Sequence, residues 1–73
     1  MTIMEALQWA NNKLRKASVD SPMLDAEILL AFSLETSKAW LFAHFADKLK
    51  SHQEEKFLQL VERREGREPV AYL

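Results

Sequence analysis

Apolar residues recur at steps of three and four along the first part of the chain, the spacing that places side chains on one face of a helix. The pattern begins just after Thr2, and Glu5 follows at the spacing of a capping box, in which a hydroxyl and a carboxylate bond to free backbone N–H groups at a helix start. We therefore predict a first helix from this point, with an apolar face that consists of Ile3, Leu7, Ala10, Leu14 and Ala17.

A second helix is predicted from Ser21-Pro22, an N-cap residue followed by proline at the first helical position. Asp25 and Glu27 lie near its start, where carboxylates are favoured by the helix dipole. Because two residues turn a helix by about 200°, we do not expect these carboxylates to form an acid/base pair. The spacing predicts an apolar face that consists of Leu24, Ile28, Ala31 and Phe32 and is widened by Leu29 and Leu30.

A short third helix is predicted after Thr36 or Ser37, either of which can cap it. Residues 39–45 are apolar nearly all round, which predicts the buried central element of a bundle. His44 has no second titrating partner nearby in the sequence, so we expect it at the margin of the core rather than as a general base. Three aromatic side chains are expected to be core residues rather than the lining of a ligand pocket: Trp40, Phe42 and Phe45.

The fourth helix is predicted to have Ser51 as its N-cap, since Glu54 follows it at capping-box spacing. Gly66 lies where a left-handed C-terminal cap is expected, and Pro69 blocks continuation. We predict a short fifth helix or turn beyond it. The apolar residues 70–73 make a poor natural end, so we expect that the chain is cut there. The buried stripe of the fourth helix is predicted to be Phe57, Leu58, Leu60 and Val61.

Composition supports a single all-α domain over residues 1–73. The chain is 48% hydrophobic, with one glycine, two prolines and no cysteine. Few turn residues remain for β-hairpins, and neither a disulfide nor a structural zinc site is expected to staple the domain. Stability must therefore come from packing between helices.

Charge and hydropathy limit the partners. Ten basic and eleven acidic residues give a net charge of −1 and a pI near 6.1, whereas nucleic-acid binders normally carry a basic excess. The longest apolar runs, 28–32 and 39–43, are far shorter than the roughly 20 residues that span a bilayer. Glu5 and Gln8 interrupt the start before a secretory signal could form. We expect a cytoplasmic domain without a membrane partner, and nucleic acid is not expected to bind.

Catalytic patterns are absent from the sequence. A single glycine is too few for a phosphate-binding loop, a dinucleotide fingerprint or a nucleophile elbow. There is no cysteine nucleophile, and His44 and His52 are eight residues apart, which does not fit two ligands one helical turn apart. The chain alone is therefore not expected to be an enzyme, and we expect it to hold no catalytic, cofactor-binding or metal-binding residue.

Two basic clusters admit two interpretations. Lys13, Arg15 and Lys16 end the first helix, where cations favour the helix dipole, so a solvated helix end is preferred to a phosphate or membrane contact. The second cluster could clamp a phosphate or an acidic partner surface, or could be another solvated helix end in which interleaved glutamates cancel the field. It consists of Arg63, Arg64 and Arg67, interleaved with Glu62, Glu65 and Glu68.

Two stretches carry a resemblance to a known family. Residues 21–30, SPMLDAEILL, resemble the second-helix signature of the release-factor glutamine methyltransferases. Residues 63–73, RREGREPVAYL, resemble the segment that joins the helical domain of that family to its catalytic domain. The spacing between the two stretches also fits, and the likeness covers essentially the whole chain.

The resemblance implies an N-terminal helical domain whose catalytic methyltransferase domain is missing from this chain. The complete enzyme would bind S-adenosylmethionine in a Rossmann-like domain and methylate the glutamine of the Gly-Gly-Gln motif in peptide chain release factors. The helical domain would dock the release factor and raise its effective concentration at the catalytic domain. Its partners would be release factors and its own catalytic domain. The alternative is a structural or generic protein-interaction bundle without a docking role of its own.

Six residues match the two family stretches and are candidates for structural or partner contacts. Opposite charges in the two stretches suggest that Asp25 or Glu27 pairs with an arginine of the closing run, which would lock the second helix against the fourth. The six candidates are Asp25, Glu27, Arg63, Arg64, Pro69 and Tyr72.

Overall fold

Four helices form the domain in a computed structural model, which describes residues 1–67. The all-α prediction is confirmed. The short fifth element predicted after Pro69 lies outside the described residues. The helices are α1 (Ile3–Lys16), α2 (Pro22–Leu34), α3 (Lys38–Ala43) and α4 (Ser51–Glu65).

The start of α1 is held by hydrogen bonds from its own capping residues and from the loop between α3 and α4. The Thr2 hydroxyl accepts from the Glu5 N–H (3.1 Å), and the Glu5 carboxylate accepts from the Thr2 N–H (2.8 Å), so the predicted capping box is confirmed. The next two N–H groups, which a helix alone leaves without partners, donate to loop carbonyls: Ile3 to Asp47 (2.9 Å) and Met4 to Phe45 (3.1 Å). These bonds hold the loop between α3 and α4 against the first turn.

The helix starts of α2 and α4 differ from the predicted caps. Ser21 is the N-cap of α2, but its hydroxyl makes no capping bond. Helix α4 begins one residue earlier than predicted, with Lys50 as N-cap and Ser51 inside the helix. The Gln53 side chain accepts from the Lys50 N–H at 2.9 Å. A lysine ammonium has no acceptor, so only this half of the capping box is made. Buried Leu49 donates its N–H to the Met1 carbonyl, which holds the chain in place up to the cap.

The end of α4 also differs from the prediction. Gly66 was expected to adopt the left-handed conformation, yet it has φ −76° and its N–H bonds to the Glu62 carbonyl at 3.2 Å. The helical bonding pattern therefore extends through the glycine. Arg67 carries the left-handed backbone instead, at φ 74°.

Helices α1, α2 and α4 enclose the core. Phe57 of α4 is fully buried and meets the Trp9 ring edge-on at a centroid distance of 6.2 Å. The predicted stripe of α1 is buried from Ile3 to Leu14, and Ala17 is half-buried at its end. In α4, Leu58 is only half-buried. The largest fully buried side chains are Phe57, Ile3, Leu14, Leu29, Leu30, Leu41 and Val61.

Helix α2 buries only part of its predicted apolar face: Ala31, Leu29 and Leu30 are buried as predicted, and three other residues are not. Leu24, Ile28 and Phe32 are 44%, 36% and 49% exposed. The helix is apolar nearly all round, so spacing alone could not identify the inner face. Packing against α1 and α4 decides it, and the buried residues of α2 are Asp25, Ala26, Leu29, Leu30, Ala31 and Ser33.

Helix α3 is not the buried central element that was predicted. Only Leu41 is buried, and the core predictions for Trp40 and Phe42 are wrong, since these side chains are 37% and 49% exposed. Phe45 is half-buried against the core. The helix has six residues and packs mainly on α2, while side chains of α1, α2 and α4 fill the interior. Ser37 caps it, accepting from the Trp40 N–H at 3.1 Å.

The orientation of α2 can be tested with two leucines. Leu29→Ala empties a fully packed position and should lower the free energy of unfolding by about 2–5 kcal/mol. Leu24→Ala, the matched control on the same helix, should cost less than about 1 kcal/mol because its side chain already contacts water. Urea unfolding followed by circular dichroism measures both. Equal losses would contradict the orientation.

The α1 capping box should make stability depend on pH. Hydrogen bonds from the Thr2 backbone and side chain lower the pKa of Glu5 from its usual 4.5. A carboxylate with a lower pKa in the folded chain stabilises it above the unfolded value, and this contribution disappears as the pH falls through the folded value. Wild type should therefore lose stability relative to Glu5→Gln when denaturant unfolding is repeated at falling pH. A difference that stays constant from neutral pH to well below 4.5 would contradict this.

Candidate functional site

An ion pair joins the two segments that contain the candidate residues. Arg64 Nε donates to Asp25 Oδ2 at 2.9 Å, and the side chains are 20% and 12% exposed. Asp25 lies in the first turn of α2 and Arg64 in the last turn of α4, so the pair joins opposite ends of two antiparallel helices. The structure thus contains the predicted pair between an acidic residue of α2 and an arginine of the closing run.

Of the four remaining candidates, two lie within the described residues. Glu27 is half-buried and Arg63 is exposed. Pro69 and Tyr72 lie outside the described residues. The role of these residues in contacting a partner stays a prediction.

The exposed face of α2 carries three large apolar side chains in a line. Leu24, Ile28 and Phe32 are each four residues apart, so they follow one another along one side of the helix over roughly 12 Å. We call these three residues the α2 row. An exposed contiguous apolar surface of this kind is typical of an interaction site, whereas single exposed apolar residues are ordinary.

Helix α4 separates its charges between its two edges. On the edge that faces α1, Glu54 pairs with the Met1 amino group at 3.3 Å and Glu65 with Lys13 at 3.6 Å. On the edge that faces α2, Lys56 Nζ lies 4.7 Å from the centre of the Phe32 ring. Arg63 lies two turns further along that edge and is exposed. We call Lys56 and Arg63 the basic edge.

The basic edge changes the interpretation of the charged run in α4. The sequence left two interpretations of this run: a clamp for a phosphate or an acidic surface, or a solvated helix end in which interleaved glutamates cancel the field. In the fold, Glu65 turns to α1, and Arg64 is engaged by Asp25. Positive side chains therefore lie beside the α2 row, although residues of both signs alternate in the sequence.

A second surface feature lies around α3. The His44 ring stacks on Trp40 at a centroid distance of 3.9 Å, and His44 Nδ1 is 2.7 Å from the Trp40 carbonyl oxygen. Trp40 also borders a groove of about 440 Å³ whose lining contains carboxylates of Glu35 and Asp47 as well as two lysines, Lys48 and Lys50. These charges are balanced, so the groove has no clear preference for an anion or a cation.

Within residues 1–67, no group of three or more histidine, aspartate or glutamate side chains is placed to hold a metal ion. No helix in that range is long and apolar enough to cross a bilayer. The apolar row and its basic edge can bind another protein surface.

Sequence reasoning missed the α2 row as a surface. The available signal was the near-uniform hydropathy of α2, interrupted by Asp25 on its inner side. A buried carboxylate requires a partner, so Asp25 indicated the inward face once its pairing with the closing arginines was considered.

Comparisons with known proteins agree on one family. The sequence model described as PrmC N-terminal domain matches residues 5–73. The release factor glutamine methyltransferase of Shewanella oneidensis is 42% identical over 71 residues, which cover 97% of this chain and 24% of that protein. The enzymes of the same name from Rhodopirellula baltica and Koribacter versatilis are 39% and 34% identical, over 99% and 100% of this chain and 24% and 26% of their own lengths. The chain thus spans about a quarter of these relatives. No solved structure matches it significantly.

The energetic role of the ion pair can be measured with a double-mutant cycle. Asp25→Asn and Arg64→Gln should each lower the free energy of unfolding by about 1–3 kcal/mol. Each substitution removes one member of an ion pair whose other member is largely shielded from water. The double variant should lose less than the sum. Glu27→Gln, the matched control on α2, should show no coupling to Arg64→Gln. Additive losses at positions 25 and 64 would contradict the pairing.

Proposed function

The chain belongs to the PrmC N-terminal domain family and is the N-terminal domain of a release factor glutamine methyltransferase, and on this premise we propose that it docks the release factor for the catalytic part of the enzyme. The observation that carries the docking role is the α2 row. A phenylalanine, an isoleucine and a leucine in line on the surface form the kind of exposed apolar patch that marks an interaction site.

The activity of the complete protein follows from the same premise. Relatives named release factor glutamine methyltransferase extend about three quarters of their length beyond the matched region. We assign the methyl transfer to that part, with S-adenosylmethionine as methyl donor and the side-chain amide nitrogen of a release-factor glutamine as acceptor. The place of such a reaction is the cytoplasm, where translation ends.

Docking on a separate domain would contribute through linkage. When one part of a substrate is held by the helical domain, the second contact becomes intramolecular, and its effective concentration reaches the millimolar range for short connections. The helical domain would thus lower the KM for the release factor without touching the reacting atoms. The catalytic domain and the release factor are then both partners of this chain.

Docking can be measured on the 73-residue chain. We expect a titration of the ¹⁵N-labelled chain with an unmodified bacterial release factor to shift amide signals on one face of the domain. S-adenosylmethionine, the control ligand, should shift none, because the cofactor belongs to the catalytic part. An unchanged spectrum at several hundred micromolar release factor would overturn the docking role and favour a purely structural bundle.

A further inference from the structure

We propose that the α2 row and the basic edge of α4 together form one binding site for an amphipathic segment that carries carboxylates beside its apolar side chains. This assignment rests on the proposed function and specifies which part of a release factor the domain holds. The occupant is a helix or strand of the release factor with an acidic margin, identified by its chemistry rather than by its sequence.

The apolar half of the site has the spacing of a helix-binding surface. Leu24, Ile28 and Phe32 repeat every four residues over roughly 12 Å, which matches the two or three turns over which an amphipathic helix presents its anchors. Their exposure rises from 36% at Ile28 to 49% at Phe32. The row is therefore accessible along its whole length in the described part of the chain.

The charged half of the site determines the polarity of the occupant. The Lys56 ammonium lies 4.7 Å from the centre of the Phe32 ring, so a positive charge borders the Phe32 end of the row. Arg63 lies two turns further along the same edge, toward the Leu24 end, because α2 and α4 are antiparallel. Glu54 and Glu65 of α4 form their ion pairs on the opposite edge, with the Met1 amino group and Lys13. A carboxylate-bearing margin complements this arrangement, and an acidic partner is also steered toward it.

The exposed aromatic residues of α3, Trp40 and Phe42, do not form a comparable row. Phe42 is as exposed as Phe32, at 49%, but its exposed neighbour Trp40 is two residues away and points to a different side of α3. The described contacts around Phe42 are aromatic, with Phe45 at 5.8 Å. Phe42 therefore provides a matched control for an exposed phenylalanine outside the row.

The experiment compares binding of an unmodified bacterial release factor to four variants of the labelled chain. Phe32→Asp should weaken binding about 10-fold or more, as expected for a large apolar anchor, whereas Phe42→Asp should leave the affinity unchanged. Lys56→Glu should weaken binding several-fold, and this loss should shrink at high salt because charge attraction is screened. Lys16→Glu, an exposed lysine at the end of α1, is its charge-matched control. Circular dichroism checks that each variant retains its helices.

The possible outcomes separate this assignment from the proposed function. Loss of binding in Phe32→Asp and Lys56→Glu, with both controls unchanged, would establish the site. Binding by wild type and equal binding by all four variants would overturn the site while leaving docking intact. The α2 row would then be assigned to a contact with another part of the same protein. Equal losses in Phe32→Asp and Phe42→Asp would also overturn it, since a diffuse apolar contact would explain them. No binding by wild type would overturn the proposed function and this assignment together.

Discussion

The orientation of α2 depends on one buried carboxylate. Asp25 is 9% exposed, and an ionised carboxylate at that depth requires a charged hydrogen-bonding partner. Arg64 supplies it at 2.9 Å from the last turn of α4. Because α2 is apolar on almost every side, hydrophobic burial alone favours no single rotation of this helix. The ion pair adds a directional requirement, since only a rotation that points Asp25 toward α4 satisfies both charges.

The surface of the domain follows from this rotation. Once Asp25 faces α4 and Leu29 and Leu30 face the core, the α2 row lies toward solvent. Its residues Leu24, Ile28 and Phe32 lie about 100°, 60° and 20° from Asp25, on the side away from these two leucines. The same antiparallel contact brings Lys56 over Phe32 and turns Glu54 and Glu65 toward α1. A structural interaction and a candidate binding surface thus share one cause. The row is exposed because the inner side of α2 is occupied by the pair and by the leucines that pack beside it.

Local signals were reliable where neighbouring residues decide the structure. The capping box of Thr2 and Glu5 acts across three residues, and its bonds form as the spacing predicts. The amphipathic stripe of α1 identified its buried face, because polar residues occupy the other side. The start of α4 was predicted one residue late, since the bond between Leu49 and Met1, distant in sequence, holds the chain before Lys50. Helix α3 was wrongly predicted to lie in the interior. Its apolar composition carries no information about how much of the core the side chains of α1, α2 and α4 already fill.

The sequence by itself determined the all-α class, the approximate position of four helices, the family resemblance and the opposite charges of α2 and the closing run, whereas the structure selected Asp25 and Arg64 as the pair. These features depend on residue spacing within a few turns or on residue type, both of which can be read along the chain. Only the tertiary structure decided which side of α2 is buried, that α3 lies at the periphery and that the charges of α4 divide between two edges. Each of these depends on which helices are neighbours in space, and a helix that is apolar all round, or charged with both signs, is compatible with several neighbours until packing selects one.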